Sequence, residues 1–284
     1  MTDVLLRTGG LSFAYPQRSG LFRRRILRDV IKRVDLAVPR GSVLGLVGES
    51  GSGKTTLGRL LVRLLEPTSG GIQFDGIEIG DLDEADMRPL RARIQMIFQD
   101  PQSSLNPRLR LGTTLTRPLS VHGRIKGRRQ QRERAAALLD LVGLPADFAD
   151  RYPHELSGGQ RQRAGIARAL ALEPDFIVAD EIVSGLDVST QAHILLLLKE
   201  LRARLGLTMV FISHDLSVVR VLCDDVAILQ HGEVVEYGPV ARVFSAPQHP
   251  YTQQLLAAIP LPDVEPGWLG EQPTVVSQQQ GSAA

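Results

Sequence analysis

In the first hundred residues the apolar positions fall in short runs broken by turn-forming residues. Val34 to Val38 and Val43 to Val47 are two such runs, split by Pro39-Arg40-Gly41, which predicts two short strands around a turn. Ile72 to Ile79 (IQFDGIEI) carries Asp75-Gly76 at its centre and reads as a hairpin. Leu57 to Leu65 spaces its apolar residues as a helix does and stops before Pro67. Ile94 to Phe98 is a compact predicted strand.

The texture then changes. Residues 101 to about 172 are Pro-, Arg- and Ala-rich helical stretches without a convincing strand. Buried-strand character returns at Phe176 to Ala179, Met209 to Ile212 and Val226 to Leu229, with a predicted helix at Thr190 to Leu205 between the first two. Strands separated by helices imply a mainly parallel sheet. The expected architecture is therefore α/β: a parallel core, an antiparallel β subdomain at the N-terminus and an α-helical subdomain inserted at about 101–172. Glu233 to Gly238 reads as an edge strand. Residues 270–284 are Gln-, Gly- and Ser-rich and are expected to be a disordered tail.

Composition narrows the classes of function. A chain of 284 residues can bury a core without staples. Lys plus Arg number 33 and Asp plus Glu 31, a net charge of +2, which leaves no footprint for nucleic acid. The basic stretches Arg23-Arg24-Arg25 and Arg124 to Arg134 read as solvated faces. One cysteine, Cys223, excludes a disulfide framework within the chain and any all-cysteine metal or iron–sulfur site, and suits a reducing compartment. The opening MTDVLLRTGG has neither a basic n-region nor a long apolar stretch, so no signal peptide is expected. The densest apolar run, Ile194 to Leu198, is far shorter than the roughly 20 residues of a membrane span.

The first chemical motif is Gly48-Glu49-Ser50-Gly51-Ser52-Gly53-Lys54-Thr55, followed by Thr56. It matches GxxxxGK[ST] and lies between the strand VLGLV and the helix TLGRLLVRLL, the setting that this phosphate-binding loop requires. Its glycines allow successive amides to converge on phosphate oxygens, and the following helix adds its positive end. Lys54 is expected on the β- and γ-phosphates and the Thr55 hydroxyl on magnesium. The second motif is the apolar strand Phe176-Ile177-Val178-Ala179, which ends in Asp180-Glu181. A solvated strand end is the ordinary reading of such a pair. Beside a phosphate loop it becomes a magnesium site at Asp180 and a water-polarising carboxylate at Glu181.

Leu156-Ser157-Gly158-Gly159-Gln160, followed by RQRAGIARALALEPDFIVADE, completes a pattern that resembles the ATP-binding subunit of an ABC transporter over residues 4–260. The resemblance implies a P-loop NTPase core over 1–232, an extension over 233–269, and ATP with Mg2+ as ligands. It also implies that Ser157, Gly158, Gly159 and Gln160 bind the γ-phosphate of ATP held by an opposite subunit, so that two ATPs join two ATPases head to tail. Gln99 resembles the Q-loop glutamine, a magnesium sensor linked to the membrane subunits. His214 resembles the H-switch on the γ-phosphate, Asp187 in Ser184-Gly185-Leu186-Asp187 the D-loop aspartate, and Tyr15 in LSFAYP the aromatic that stacks on adenine. Glu181, His214 and Gln99 would carry the hydrolysis. The family often places Pro-Thr after the glutamate; here Ile182-Val183 follow it.

Two segments resemble one branch, the dipeptide/oligopeptide/nickel importers. They are the extended Q-loop Gln99-Asp100-Pro101-Gln102-Ser103-Ser104-Leu105-Asn106-Pro107-Arg108 and Phe244-Ser245-Ala246-Pro247-Gln248-His249-Pro250-Tyr251-Thr252, with a helix expected over QQLLAAIP. This implies two transmembrane permease subunits, a second ATPase that is either a paralogue or the same chain, an extracytoplasmic solute-binding protein acting indirectly, and a peripheral place on the cytoplasmic face of the membrane. A soluble cassette of DNA repair or translation would carry a long coiled coil or a second cassette. A GTPase would need Asn-Lys-x-Asp, but the single asparagine, Asn106, precedes Pro107. The cargo, peptide or a small solute such as nickel, is not written in this chain.

Overall fold

The computed structural model describes residues 3–19, 24–100 and 104–258. The tail expected at 270–284, the end of the expected extension, Arg23 and the Pro101-Gln102-Ser103 part of the Q-loop lie outside the described residues.

The N-terminal sheet is antiparallel in the order β2-β1-β4-β5. β1 (Val4–Ser19) and β2 (Arg24–Pro39) are each 16 residues long, far longer than the strand expected at Val34 to Val38. That run is only the end of β2 where Val34, Leu36 and Val38 are buried. β4 (Ser69–Phe74) and β5 (Ile77–Glu78) form the expected hairpin. Asp75 and Gly76 both have positive φ, 52° and 78°, as a two-residue type I′ turn demands.

The second sheet has the order β10-β9-β3-β8-β7-β6. β3 (Val43–Val47), β6 (Ile94–Ile97), β7 (Phe176–Asp180), β8 (Thr208–Ile212) and β9 (Asp225–Gln230) run parallel, and β10 (Glu233–Pro239) is the antiparallel edge. Its inner strands are apolar throughout because both faces are covered. Leu44, Leu46, Phe176, Val178, Val210 and Ile212 join one core with the N-terminal sheet and the helix α1 (Lys54–Leu61). The alternate residues Ile177, Ala179, Met209 and Phe211 join another, built with the helices between β6 and β7. Period-two alternation thus assigns each strand residue to one of two cores.

Between β6 and β7 the described chain contains α3 (Leu111–Val121), α4 (Gly127–Leu141) and α5 (Gly158–Leu170) and no strand. α2 (Glu84–Leu90) precedes β6, and α6 (Val188–Leu205) and α7 (Leu216–Leu222) come after β7 and β8. The helix expected over Leu57 to Leu65 is α1, which starts at Lys54 and stops at Leu61, because Arg63 turns to φ 56°. After β10 come α8 (Val240–Ser245) and α9 (Pro250–Ala257). α9 begins before the predicted QQLLAAIP: Pro250 occupies the first turn and His249 caps it, a placement proline favours. Among the described residues no helix is long and apolar enough to cross a membrane.

Candidate active site

Parallel strands deliver their C-terminal ends to one edge, where ligands of such sheets bind. The register aligns Ile97 with Ala179, Ala179 with Phe211 and Phe211 with Gly45. Gln99, Asp180-Glu181, Ser213-His214 and the loop from Gly48 therefore emerge side by side, although up to 166 residues (214 − 48) separate them in the chain.

The loop is a Gly-dependent structure. A Cβ on Gly48 would lie 2.1 Å from the Leu229 carbonyl oxygen. Gly53, at φ 108°, ends the loop as the cap of α1. Lys54 is buried, and its Nζ donates to the carbonyls of Gly48 at 2.7 Å and Glu49 at 2.9 Å. Burial holds the Lys54 ammonium below the ordinary lysine value, while the Glu181, Asp180 and Glu49 charges pull the other way. Those three carboxylates act on Lys54 through charge, and its described hydrogen bonds go to the loop carbonyls.

The Thr55 hydroxyl donates to Asp180 Oδ1 at 3.1 Å. Asp180 is buried, and burial raises its pKa above the usual aspartate value against the pull of the Thr55 hydrogen bond. Glu181 adopts a positive φ of 47° with its amide bonded to the Ile212 carbonyl at 3.0 Å, a strained conformation that the surroundings impose. That turn aims its carboxylate at two partners. The Gln99 side-chain amide donates to Oε2 at 2.9 Å, and His214 Nδ1 stands 3.7 Å from Oε1. Ile182 and Val183, which depart from the family's pattern, are buried in the helical-side core.

A cleft of about 550 Å³ opens above these groups, lined among others by Tyr15, Ser50, Lys54, Thr56, Gln99 and Glu181. Gly51, Gly53 and Thr55 also face it. Tyr15 lies edge-on to Phe13, with centroids 4.7 Å apart, and leaves 38% of its surface exposed. Gly48, Glu49 and Ser52 lie outside the lining. The Glu49 amide is engaged by the Tyr251 hydroxyl, and the buried Ser52 Oγ has no partner. The sequence does not point to Arg28 and Val30 of β2, which also line the cleft; nothing in an ordinary strand marks them.

The remaining predicted residues are elsewhere. Ser157 caps α5, and its Oγ accepts the Gln160 amide at 3.3 Å while Gln160 Oε1 accepts the Ser157 amide at 2.9 Å. This capping box satisfies two donors at the helix start and leaves Ser157 and Gly158 exposed. None of the four residues Ser157 to Gln160 lines the cleft. Asp187 caps α6, and donors from Ser189 and Thr190 hold its carboxyl far below the usual aspartate range.

Comparison with known proteins places this architecture. Residues 31–184 match the ABC transporter family, and residues 235–282 match the region described as oligopeptide/dipeptide transporter, C-terminal region. A "Putative peptide import ATP-binding protein" of Brucella ovis is 52% identical over 264 residues, covering 93% of this chain and 81% of that protein. A "Probable peptide ABC transporter ATP-binding protein" of Sinorhizobium fredii is 46% identical, covering 100% and 82%. Among solved structures, the dimeric post-hydrolysis state of the ATP-binding cassette MJ0796 bound to ADP and Pi is similar with a TM-score of 0.73 and 32% identity, over 83% of this chain and 98% of that one. The cbiO1 structure from Clostridium perfringens has a TM-score of 0.73 at 28% identity, over 86% and 92%. The chain belongs to the ABC transporter family, as an ATP-binding ATPase subunit with the C-terminal region of the oligopeptide/dipeptide branch.

Proposed function

We propose that this chain hydrolyses ATP with Mg2+ to energise peptide import, as one of two cassettes beneath two transmembrane permease subunits. The observation that carries the reading is that Lys54, Thr55, Gln99 and Glu181 line one cleft, with Asp180 hydrogen-bonded to Thr55 and His214 3.7 Å from Glu181. The relatives' names direct the cargo to peptides rather than nickel.

Lys54 meets the β- and γ-phosphates, and the amides from Ser50 onward cradle them. Tyr15, exposed at the cleft mouth, offers its ring to adenine. Thr55 and Asp180 fit magnesium: a hydroxyl and a carboxylate already meet there. Among the described residues no cluster of three or more His, Cys, Asp or Glu could hold an ion alone. That sparse protein contribution suits an ion that takes most of its ligands from phosphate and water, with Gln99 alongside. Bound there, magnesium neutralises charge on the β- and γ-phosphate oxygens. Glu181 polarises the water that attacks the γ-phosphorus as the bond to the β-phosphate oxygen breaks, yielding ADP and phosphate. His214, 3.7 Å from the Glu181 carboxylate, contacts the γ-phosphate.

Ser157 and Gly158, exposed, and Gly159 and Gln160, half-buried, lie outside the cleft lining of their own chain and fit the phosphate of a second cassette, either a paralogue or a second copy. Asp187 at the start of α6 lies on that same exposed side. The supporting units are a nucleotide-binding core over 1–232 with its helical insertion at about 101–172, and an extension over 233–269. The chain is then peripheral, on the cytoplasmic face of the membrane, and meets the extracytoplasmic solute-binding protein only indirectly. Reconstitution of the full complex in liposomes tests this. ATP inside the cassette compartment should drive labelled-peptide uptake, and the Glu181→Gln subunit should abolish it. Uptake that persists with that subunit overturns the reading.

A further inference from the structure

The phosphate loop has polar groups on its outer side, away from the cleft, and the C-terminal part of the chain satisfies two of them. The Ser52 carbonyl accepts the Gly232 amide at 3.0 Å, from the turn between β9 and β10. The Glu49 amide donates to the Tyr251 hydroxyl at 3.0 Å. Tyr251 lies in the first turn of α9, inside the His249-Pro250-Tyr251-Thr252 string that marks the branch.

The position of that hydroxyl is determined from several directions. His249 Nδ1 accepts the Tyr251 amide at 3.2 Å. The Glu236 carboxylate of β10 accepts the Gln248 and His249 amides at 3.0 and 3.1 Å. The Tyr251 ring is buried in a third core with Val47, the last residue of β3 before the loop, and with Leu216 and Val219 of α7. α7 begins two residues after His214. Val240 and Val243 of α8 complete the packing. Tyr251 therefore stands in a rigid support that touches both the base of the phosphate loop and the helix behind His214.

We propose that Tyr251 is a positioning residue for ATP, whose hydroxyl holds the Glu49 amide so that the loop amides beyond it stay converged on phosphate. Without the hydroxyl, the partly buried Glu49 amide must either remain unpaired or turn toward water. Turning it distorts the loop at its second residue. A binding site that is no longer organised in advance loses affinity rather than chemistry. Loss of one neutral hydrogen bond corresponds to roughly a three- to tenfold change in an equilibrium constant. The inference rests on ATP binding at Lys54.

The test uses the full chain with ATP, read by calorimetric binding and steady-state hydrolysis, for Tyr251→Phe, Val243→Ala and Lys54→Ala. Tyr251→Phe keeps the ring, so the third core stays filled. Its Kd and KM for ATP should rise about three- to tenfold with kcat nearly unchanged. Val243→Ala trims the same core, so it should lower the unfolding midpoint and leave the Kd near wild type. A wild-type Kd in Tyr251→Phe, while Lys54→Ala loses ATP, overturns the role of Tyr251 alone. Equal weakening by Val243→Ala and Tyr251→Phe also overturns it, by making packing rather than the hydroxyl responsible. Wild-type affinity in Lys54→Ala removes the nucleotide site itself, and this inference with it.

Discussion

The Gln99 side-chain amide donates to Glu181 Oε2 at 2.9 Å, so the loop after β6 and the residue after β7 share one hydrogen bond across neighbouring parallel strands. Glu181→Gln preserves that contact, because the new side-chain oxygen accepts as the carboxylate does. It removes only the charge that polarises water. ATP binding should persist, turnover should fall by about a hundredfold or more, and the ATP-bound dimer should accumulate. Gel filtration with ATP and a single-turnover assay check both halves. Normal turnover would place the base elsewhere.

Lys54→Ala removes the cation and also the two bonds that tie the loop back to the Gly48 and Glu49 carbonyls. A hydrogen bond to a charged group is worth about 1.5–3 kcal/mol, roughly ten- to a hundredfold in affinity. ATP affinity in the full chain should drop by at least that factor, and hydrolysis with it. Titration with a fluorescent ATP analogue measures it; unchanged affinity would remove the loop from the site.

Ser157→Arg separates the two surfaces. Ser157 is exposed at the start of α5 and does not line the cleft of its own chain. ATP binding to the same chain should therefore stay near wild type, while ATP-driven association should fail, because in the proposed head-to-tail dimer the arginine would occupy the place of the partner's phosphate. Mixed complexes carrying the change in only one subunit decide the matter. A defect confined to ATP binding by the altered chain would contradict an arrangement in trans.

Gly48→Ala addresses stability. The added methyl would meet the Leu229 carbonyl oxygen at 2.1 Å, and that backbone belongs to β9 and cannot swing aside. The strands must separate locally, at a cost of about 1–3 kcal/mol. The urea midpoint should fall accordingly even without nucleotide. A midpoint equal to wild type would show that the sheet yields more easily than this geometry allows.

The chemistry-bearing strings are legible in the chain because each is local. Gly48 to Thr56, the strand end at Asp180-Glu181, Gln99 after IQMIF and His214 after MVFIS all sit where a strand gives way to a loop or helix. Hydrophobic runs locate those strands, and the rule for parallel sheets brings their ends together. The long β1 and β2 are not legible, since glycines and arginines interrupt their pattern, and only the pairing of β1 with β2 on one side and β4 on the other makes them strands. Helix boundaries at α1 and α9 likewise depend on a backbone turn at Arg63 and a histidine cap. What only the tertiary structure decides is which distant groups meet. Nothing local distinguishes Tyr251 from any buried tyrosine, or links it to Glu49, 202 residues earlier. Their contact exists because α8 and α9 fold back over the end of β3, and that docking is driven by apolar area, which carries no address in a one-dimensional string.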